Sequence, residues 1–272
     1  MDGFLMDWDE MAGLWLEAAP DLEASFSEVF KALFIAANLK SGEAVLDVGC
    51  GTGPTLLAAS KAVGETGRVL GIDVAPPLVA RAAERVPSNV ELIVGDAGSH
   101  VYDDGAFDAI IANFGIMFFQ DNVAAFRNLR RAVKQGGRMA ATVWATPPQN
   151  PWFSMPRRIV DERISDVPRP DPMGPGPMRF GDPSLLKSCL EEAGWTPDIR
   201  TLDVLLTPPG TAENVAELHM KVTVGMMLKG MEVAEDRLDD IKTAISKATR
   251  DHEGEGGIRV PAKIHIVTAS AR

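Results

Sequence analysis

The stretch Val45-Leu46-Asp47-Val48-Gly49-Cys50-Gly51-Thr52-Gly53-Pro54 constrains the fold more than any other part of the chain. An apolar run of β character over 44–48 ends in three glycines at alternate positions. A helical pattern over 55–63 follows at once. Strand, glycine turn and helix start in that order make a cradle for a nucleotide-like ligand. Glycine permits positive φ and close approach of a ligand to the backbone. The helix start beyond it offers free N–H donors and a partial positive charge.

The same pattern recurs. A second buried-type strand over 69–73 ends in Asp73, and a third over 90–94 runs into Gly95-Asp96-Ala97. A fourth strand over 107–112 is followed by Asn113-Phe114-Gly115. An amphipathic helix over 122–134 is stopped by Gln135-Gly136-Gly137 before a fifth strand over 138–144. Repeated β-α order predicts an α/β fold with a parallel sheet. Ligands of such sheets bind outside the carboxyl ends of the strands. Asp47, Asp73 and Asp96 therefore fall on one edge. Asp73 also reads as the N-cap of the helix that Pro76-Pro77 opens, and the two roles are compatible.

The spacing separates two cofactor classes. A dinucleotide fingerprint is G-x-G-x-x-G with a later acid. Here the glycines run G-x-G-x-G, and Asp47 precedes them. This resembles the first motif of class I S-adenosylmethionine-dependent methyltransferases, D/E-x-G-x-G-x-G. Through Asp47 to Gly53 and Gly95-Asp96 the chain is similar to quinone-biosynthesis methyltransferases, and through Asn150-Pro151-Trp152-Phe153 to a bacterial branch of small-molecule methyltransferases. The resemblance implies a Rossmann-like seven-stranded, mostly parallel sheet with an antiparallel last strand, for which 258–268 is the candidate. It implies S-adenosyl-L-methionine as cofactor and methyl transfer by in-line displacement. In that reading Asp47 serves the cofactor's ammonium, directly or through water, and Gly49, Cys50, Gly51 and Gly53 form the turn. Asp73 takes both ribose hydroxyls, with Val74 beside the adenine. Asp96 and Ala97 face the adenine edge. Asn113 and Phe114 meet the methionine portion and wall the substrate channel. Two other classes stand beside it. One is a non-catalytic module that only holds the cofactor. The other is a nucleotide-dependent oxidoreductase, against which Pro54-Thr55 stand where an offset third glycine belongs.

The remaining segments read as a cover. Residues 11–39 have helical spacing with a break or restart at Pro20, so residues 1–40 form an N-terminal helical lid and 41–272 the methyltransferase domain. Cap insertions interrupt that domain at about 146–182, where nine prolines crowd, and at about 211–257, which carries Met220, Met226, Met227 and Met231. One short helix is expected within the first insertion, over 157–164. Pocket candidates are Trp8, Trp15, Met117, Trp144, Trp152, Phe153 and Met226. Such aromatic and methionine side chains suit a small hydrophobic or aromatic methyl acceptor, and equally they fill a core. His219, in the methionine-rich segment, is the candidate general base, against the plainer reading of a structural histidine. His265 alternates with apolar positions and reads as structural.

A net charge of −11 argues against a nucleic-acid partner. Two isolated cysteines, Cys50 and Cys189, match neither a disulfide framework nor a metal site, which suits the cytoplasm. No apolar run approaches a membrane span. A homodimer is compatible with these features.

Overall fold

Each parallel strand needs a crossover to return to the same edge of a sheet, and helices supply it. The computed structural model describes residues 8–271, with side chains from Ala12 onward. Helices α1 (Trp8–Ser25) and α2 (Ser27–Ala37) lead into β1 (Ala44–Val48), α3 (Pro54–Val63), β2 (Arg68–Asp73), α4 (Pro76–Ala83), β3 (Val90–Val94) and β4 (Phe107–Asn113). Then come α5 (Asn122–Ala132), β5 (Val133–Trp144), α6 (Pro151–Asp161), α7 (Pro183–Glu192) and β6 (Thr196–Leu206). The last third holds α8 (Ala212–His219), α9 (Gly225–Met227), α10 (Glu235–Thr249), a short hairpin of β7 (Glu253–Gly254) and β8 (Gly257–Ile258), and β9 (Val260–Ser270).

The main sheet has seven strands in the order β3-β2-β1-β4-β5-β9-β6. Neighbours from β3 to β5 pair in parallel, and β9 is antiparallel to both β5 and β6. This is the Rossmann-like sheet with an antiparallel final strand that the resemblance implies. The chain winds outward from β1 to β3 and then crosses back to β4. The β1/β4 boundary is therefore the switch point, where such sheets open a crevice.

Alternate residues of the central strands feed two apolar layers, as the period of two requires. Val45, Ala109, Ile111 and Ala140 pack with Leu33, Leu56 and Val63 on one face. Leu46, Val48, Ile110, Ala112 and Ala141 pack with Phe126 and Leu129 on the other. A satellite core joins α6, α8 and α10 through Ile159, Val160, Ala216, Ile241 and Ile245. Met220, Met227 and Met231 pack against it, whereas Met226 packs against the main core. Most of the methionine enrichment is thus cap packing.

Several boundaries differ from the sequence reading. Pro20 lies inside α1 rather than ending it, and the break falls at Phe26, whose φ of −97° and ψ of 19° leave the helix. The first insertion's helix starts at Pro151, six residues earlier than the expected 157, because proline is well placed in the first turn of a helix. Strand β5 begins at Val133, so Gly136 and Gly137 sit inside it next to a register shift. Strand β4 extends through Asn113, which makes that residue the strand's last position.

Candidate active site

A cavity of about 500 Å³ opens at the carboxyl ends of β1, β2, β3 and β4. Its floor is the glycine turn. Gly49, Gly51 and Gly53 all have positive φ, at 69°, 53° and 91°. Each serves a different end. A Cβ on Gly49 would lie 2.8 Å from Gly115 Cα, so there the backbone needs to pass close to another backbone. A Cβ on Gly51 would meet nothing within 4 Å, so there the turn leaves open space for a ligand. Gly53 caps α3, and a Cβ there would press on Ala82. Gly53 is not a wall of the cavity; its place is the packing of α3 against α4.

The carboxylates divide into two kinds. Asp73 lines the cavity at the end of β2. One of its oxygens accepts from Gly51 N at 2.8 Å and the other from Ala75 N at 3.0 Å. Burial outweighs these bonds and raises its carboxyl above the usual range. Each oxygen retains a lone pair for a hydroxyl donor. Asp96 also lines the cavity, and its two oxygens accept from Gly98 N and Ser99 Oγ. Asp47 is different. It is fully buried in β1 and is not a wall of the cavity. Thr55, which is a wall, donates its hydroxyl to Asp47 Oδ2 at 2.5 Å. Asp47 Oδ1 is buried and has no hydrogen-bond partner among the described residues. Burial, with a smaller push from Asp73, raises this carboxyl to about 7. A direct contact between Asp47 and a ligand in the cavity is therefore not built into this geometry; the Thr55 hydroxyl stands between them.

Cys50, Val74, Ala97, Asn113 and Phe114 all line the cavity, as expected of neighbours at strand ends. Asn113 Oδ1 accepts from Thr142 Oγ1 at 2.7 Å. Phe114 holds φ of 64°, a strained value for a residue with a Cβ. Two contacts hold it: its N–H donates to Thr142 O at 3.2 Å, and its ring stacks on Trp144 at 4.2 Å. Gly115 follows because a Cβ there would fall 2.2 Å from Val48 O. The crossing of β1 and β4 backbones at the switch point thus requires glycine on both sides.

Above the strand ends stands an aromatic box. Phe26 meets Phe114, Trp144 and Trp152 edge to face, at centroid distances of 5.8, 5.6 and 6.3 Å. Phe153 meets Trp144 at 5.1 Å. Asn150 fixes the entry of α6 so that Trp152 and Phe153 reach this place. Its buried amide donates to Ala145 O and Thr146 O and accepts from Lys263 N. Trp15, Met117 and Met226 also line the cavity. Trp8 begins α1, and its side chain lies outside the described residues. His219 is not a wall; it is buried behind Trp152 and bonds Thr223. Burial pushes its pKa down to about 3, so it is a poor proton acceptor at neutral pH. His265 is held by Thr201 Oγ1 and Gly181 O, a structural place.

Some residues of the wall, and Arg85 just behind it, carry no signal in the sequence reading. Arg85 forks onto Glu23 at 2.7 and 2.9 Å and donates to Thr52 O at 2.9 Å. Thr52 Oγ1 donates to Glu23 at 2.6 Å. Burial pushes Glu23 up, but the bonds from Arg85 and Thr52 outweigh it and hold the carboxyl below its usual range. This ties α1 to the glycine turn. The residues lie far apart in sequence, so no spacing rule joins them. Thr52 and Thr55 could have been marked as hydroxyls flanking the glycines. Phe26 read as one more apolar helix position. Among the described residues no group of histidine, cysteine or acidic side chains has a metal-holding arrangement, and no helix is long and apolar enough to cross a membrane.

Sheet order, switch-point cavity and an acid-flanked glycine turn define a Rossmann-like domain for a nucleoside-bearing cofactor. Residues 45–137 match the family described as methyltransferase domain. The chain is 27% identical to nocamycin O-methyltransferase of Saccharothrix syringae over 283 residues, covering 98% of each protein. It is 36% identical to demethylmenaquinone methyltransferase of Staphylococcus carnosus over 118 residues, 43% of this chain and 48% of that one. A solved SAM-dependent methyltransferase from Aquifex aeolicus superposes with a TM-score of 0.51 at 25% identity, over 73% of this chain and 93% of that one. The chain carries a methyltransferase domain and is similar to S-adenosylmethionine-dependent methyltransferases of small molecules and quinones, and it is an enzyme of methyl transfer from that cofactor.

Proposed function

We propose that this enzyme methylates a small hydrophobic or aromatic metabolite bound in the aromatic box, and that the cofactor lies below it along the strand ends. The observation that carries the reading is the division of one cavity: acids and open glycine turn below, rings above. The residues present fit the cofactor. The space beside Gly51 admits it, and the orphaned Asp47 oxygen supplies an acceptor that its ammonium would satisfy through water. Asp73 would hold the ribose and Asp96 with Ala97 the adenine edge. The free N–H groups at the start of α3 would face the carboxylate.

When bound, S-adenosylmethionine supplies a methyl group already activated by its sulfonium charge. The chain's own part is orientation and exclusion of water. Phe26, Phe114, Trp144, Trp152 and Phe153 offer ring faces of negative potential, the sign that suits a neighbouring cation. They also exclude water from the acceptor. Helices α1 and α2, with the insertions at about 146–182 and 211–257, act as lid and cap over both halves. In-line displacement needs no base unless the acceptor arrives protonated. His219, buried behind Trp152, is not assigned as that base. Oxygen is the favoured acceptor atom, from the full-length similarity to nocamycin O-methyltransferase. Buried free thiols at Cys50 and Cys189 support a reducing, cytoplasmic setting.

The test is incubation with methyl-labelled cofactor and a panel of phenols, enols, quinones and amines, read by mass. Labelled product from hydrophobic hydroxyl compounds is expected. Label transferred only to polar, charged acceptors would contradict the reading.

A further inference from the structure

Between α8 and α9 the helix widens into a π-turn over Met220–Val224. Such turns are rare overall and frequent at functional sites. This one packs against α1 and brings Val222, Thr223 and Met226 to the wall of the cavity. Thr223 is the polar one of the three. It is 4% exposed, and valine would fill the same volume without a polar atom. Its Oγ1 lies 3.2 Å from Nδ1 of His219, itself buried. The His219 ring in turn lies 4.3 Å from that of Trp152, another wall of the same cavity.

The chemistry of the pair follows from burial. The imidazole is neutral at physiological pH, so Nδ1 either accepts the threonine proton or donates its own. In both cases one hydrogen-bonding valence of Oγ1 is taken and another remains. If Nδ1 is bare, the remaining valence is a lone pair. If Nδ1 carries hydrogen, it is the hydroxyl proton. A hydroxyl on a ligand matches either, because it donates and accepts. Apolar pockets orient their ligands through a few polar groups of this kind.

We infer that Thr223 hydrogen-bonds a hydroxyl of the methyl acceptor, and that His219 is a positioning residue acting through Thr223. The inference rests on the acceptor lying in the aromatic box, as proposed above. It narrows the acceptor to a hydroxyl-bearing compound. It also gives His219 a role that needs no proton transfer from the acceptor.

The experiment uses the full chain saturated with S-adenosylhomocysteine and two probes of near-equal shape, 1-naphthol and 1-fluoronaphthalene, in equilibrium dialysis. The wild type should prefer 1-naphthol by about three- to tenfold, the size of one net hydrogen bond. Thr223→Val should bring the ratio below about twofold, leave 1-fluoronaphthalene affinity unchanged, and be rescued by Thr223→Ser. His219→Phe, which keeps a ring against Trp152, should lower the ratio partway. A purely structural role would weaken both probes together. No preference in the wild type, or the same ratio in Thr223→Val, overturns the inference. Failure of S-adenosylhomocysteine to bind in the same dialysis overturns the cofactor reading beneath it, and so separates the two failures.

Discussion

Asp47 offers the sharpest prediction, because its carboxyl is both buried and half-satisfied. The difference between its ordinary value of 3.8 and about 7 corresponds to about 4 kcal/mol of penalty on the ionised form. The folded-state value lies above the unfolded one, so the folded protein holds the proton more tightly. The associated stability is fully present below about pH 4 and is lost as pH rises to about 7. Occupation of the site reverses the balance: an ammonium linked to Asp47 favours the carboxylate. At pH 6 the free protein carries about 0.9 of a proton on Asp47. Binding of S-adenosylhomocysteine at pH 6 should therefore release most of one proton as the carboxyl ionises, and at most about 0.9. Titration calorimetry in buffers of different ionisation enthalpy reads that number directly. In Asp47→Asn the release should vanish, and the loss of stability between pH 4 and 7 should flatten. Equal proton release in the wild type and Asp47→Asn, or none in either, would refute the link between Asp47 and the cofactor.

Three further outcomes are expected. Gly115→Ala puts a Cβ 2.2 Å from Val48 O and should destabilise the fold by about 2–4 kcal/mol in denaturant titration; an unchanged midpoint would mean that the two backbones can part freely. Asp73→Ala should weaken S-adenosylhomocysteine by about ten- to a hundredfold in calorimetry, and unchanged affinity would remove the ribose role. Glu23 and Arg85 are about a quarter exposed, so their coupling in a double-mutant cycle should be modest, about 1 kcal/mol, while Arg85→Ala should speed dissociation of S-adenosylhomocysteine in stopped flow; identical off-rates would show that α1 does not hold the cofactor in.

The sheet was legible in the sequence because each central strand is a short, mostly apolar run bounded by turn residues. Asp73 and Asp96 were legible for the same reason: a residue at or just past the end of a parallel strand has only one edge to occupy. Asp47 reads as a partner at that edge, yet it lies level with Gly71, two residues short of Asp73, so its side chain stays in the packing beside Thr55. The aromatic box was half legible. Trp144, Trp152 and Phe153 follow β5 closely, but Phe26 reaches them from the start of α2, and periodicity cannot tell a core ring from a pocket ring. The Glu23–Arg85–Thr52 link and the His219–Thr223 pair were invisible for different reasons. The first joins distant segments. The second depends on a π-turn that no helical period announces.

The account turns on the cofactor's seat. A crystal structure with S-adenosylhomocysteine bound tests it most directly. The expected density follows the carboxyl ends of β1 to β4, with both ribose hydroxyls on Asp73, the amino-acid end beside Gly51 and Thr55, and the sulfur directed at the ring of Phe114 or its neighbours in the box. Density seated elsewhere, or at this edge with Asp73 and Asp96 out of hydrogen-bonding reach, would contradict it.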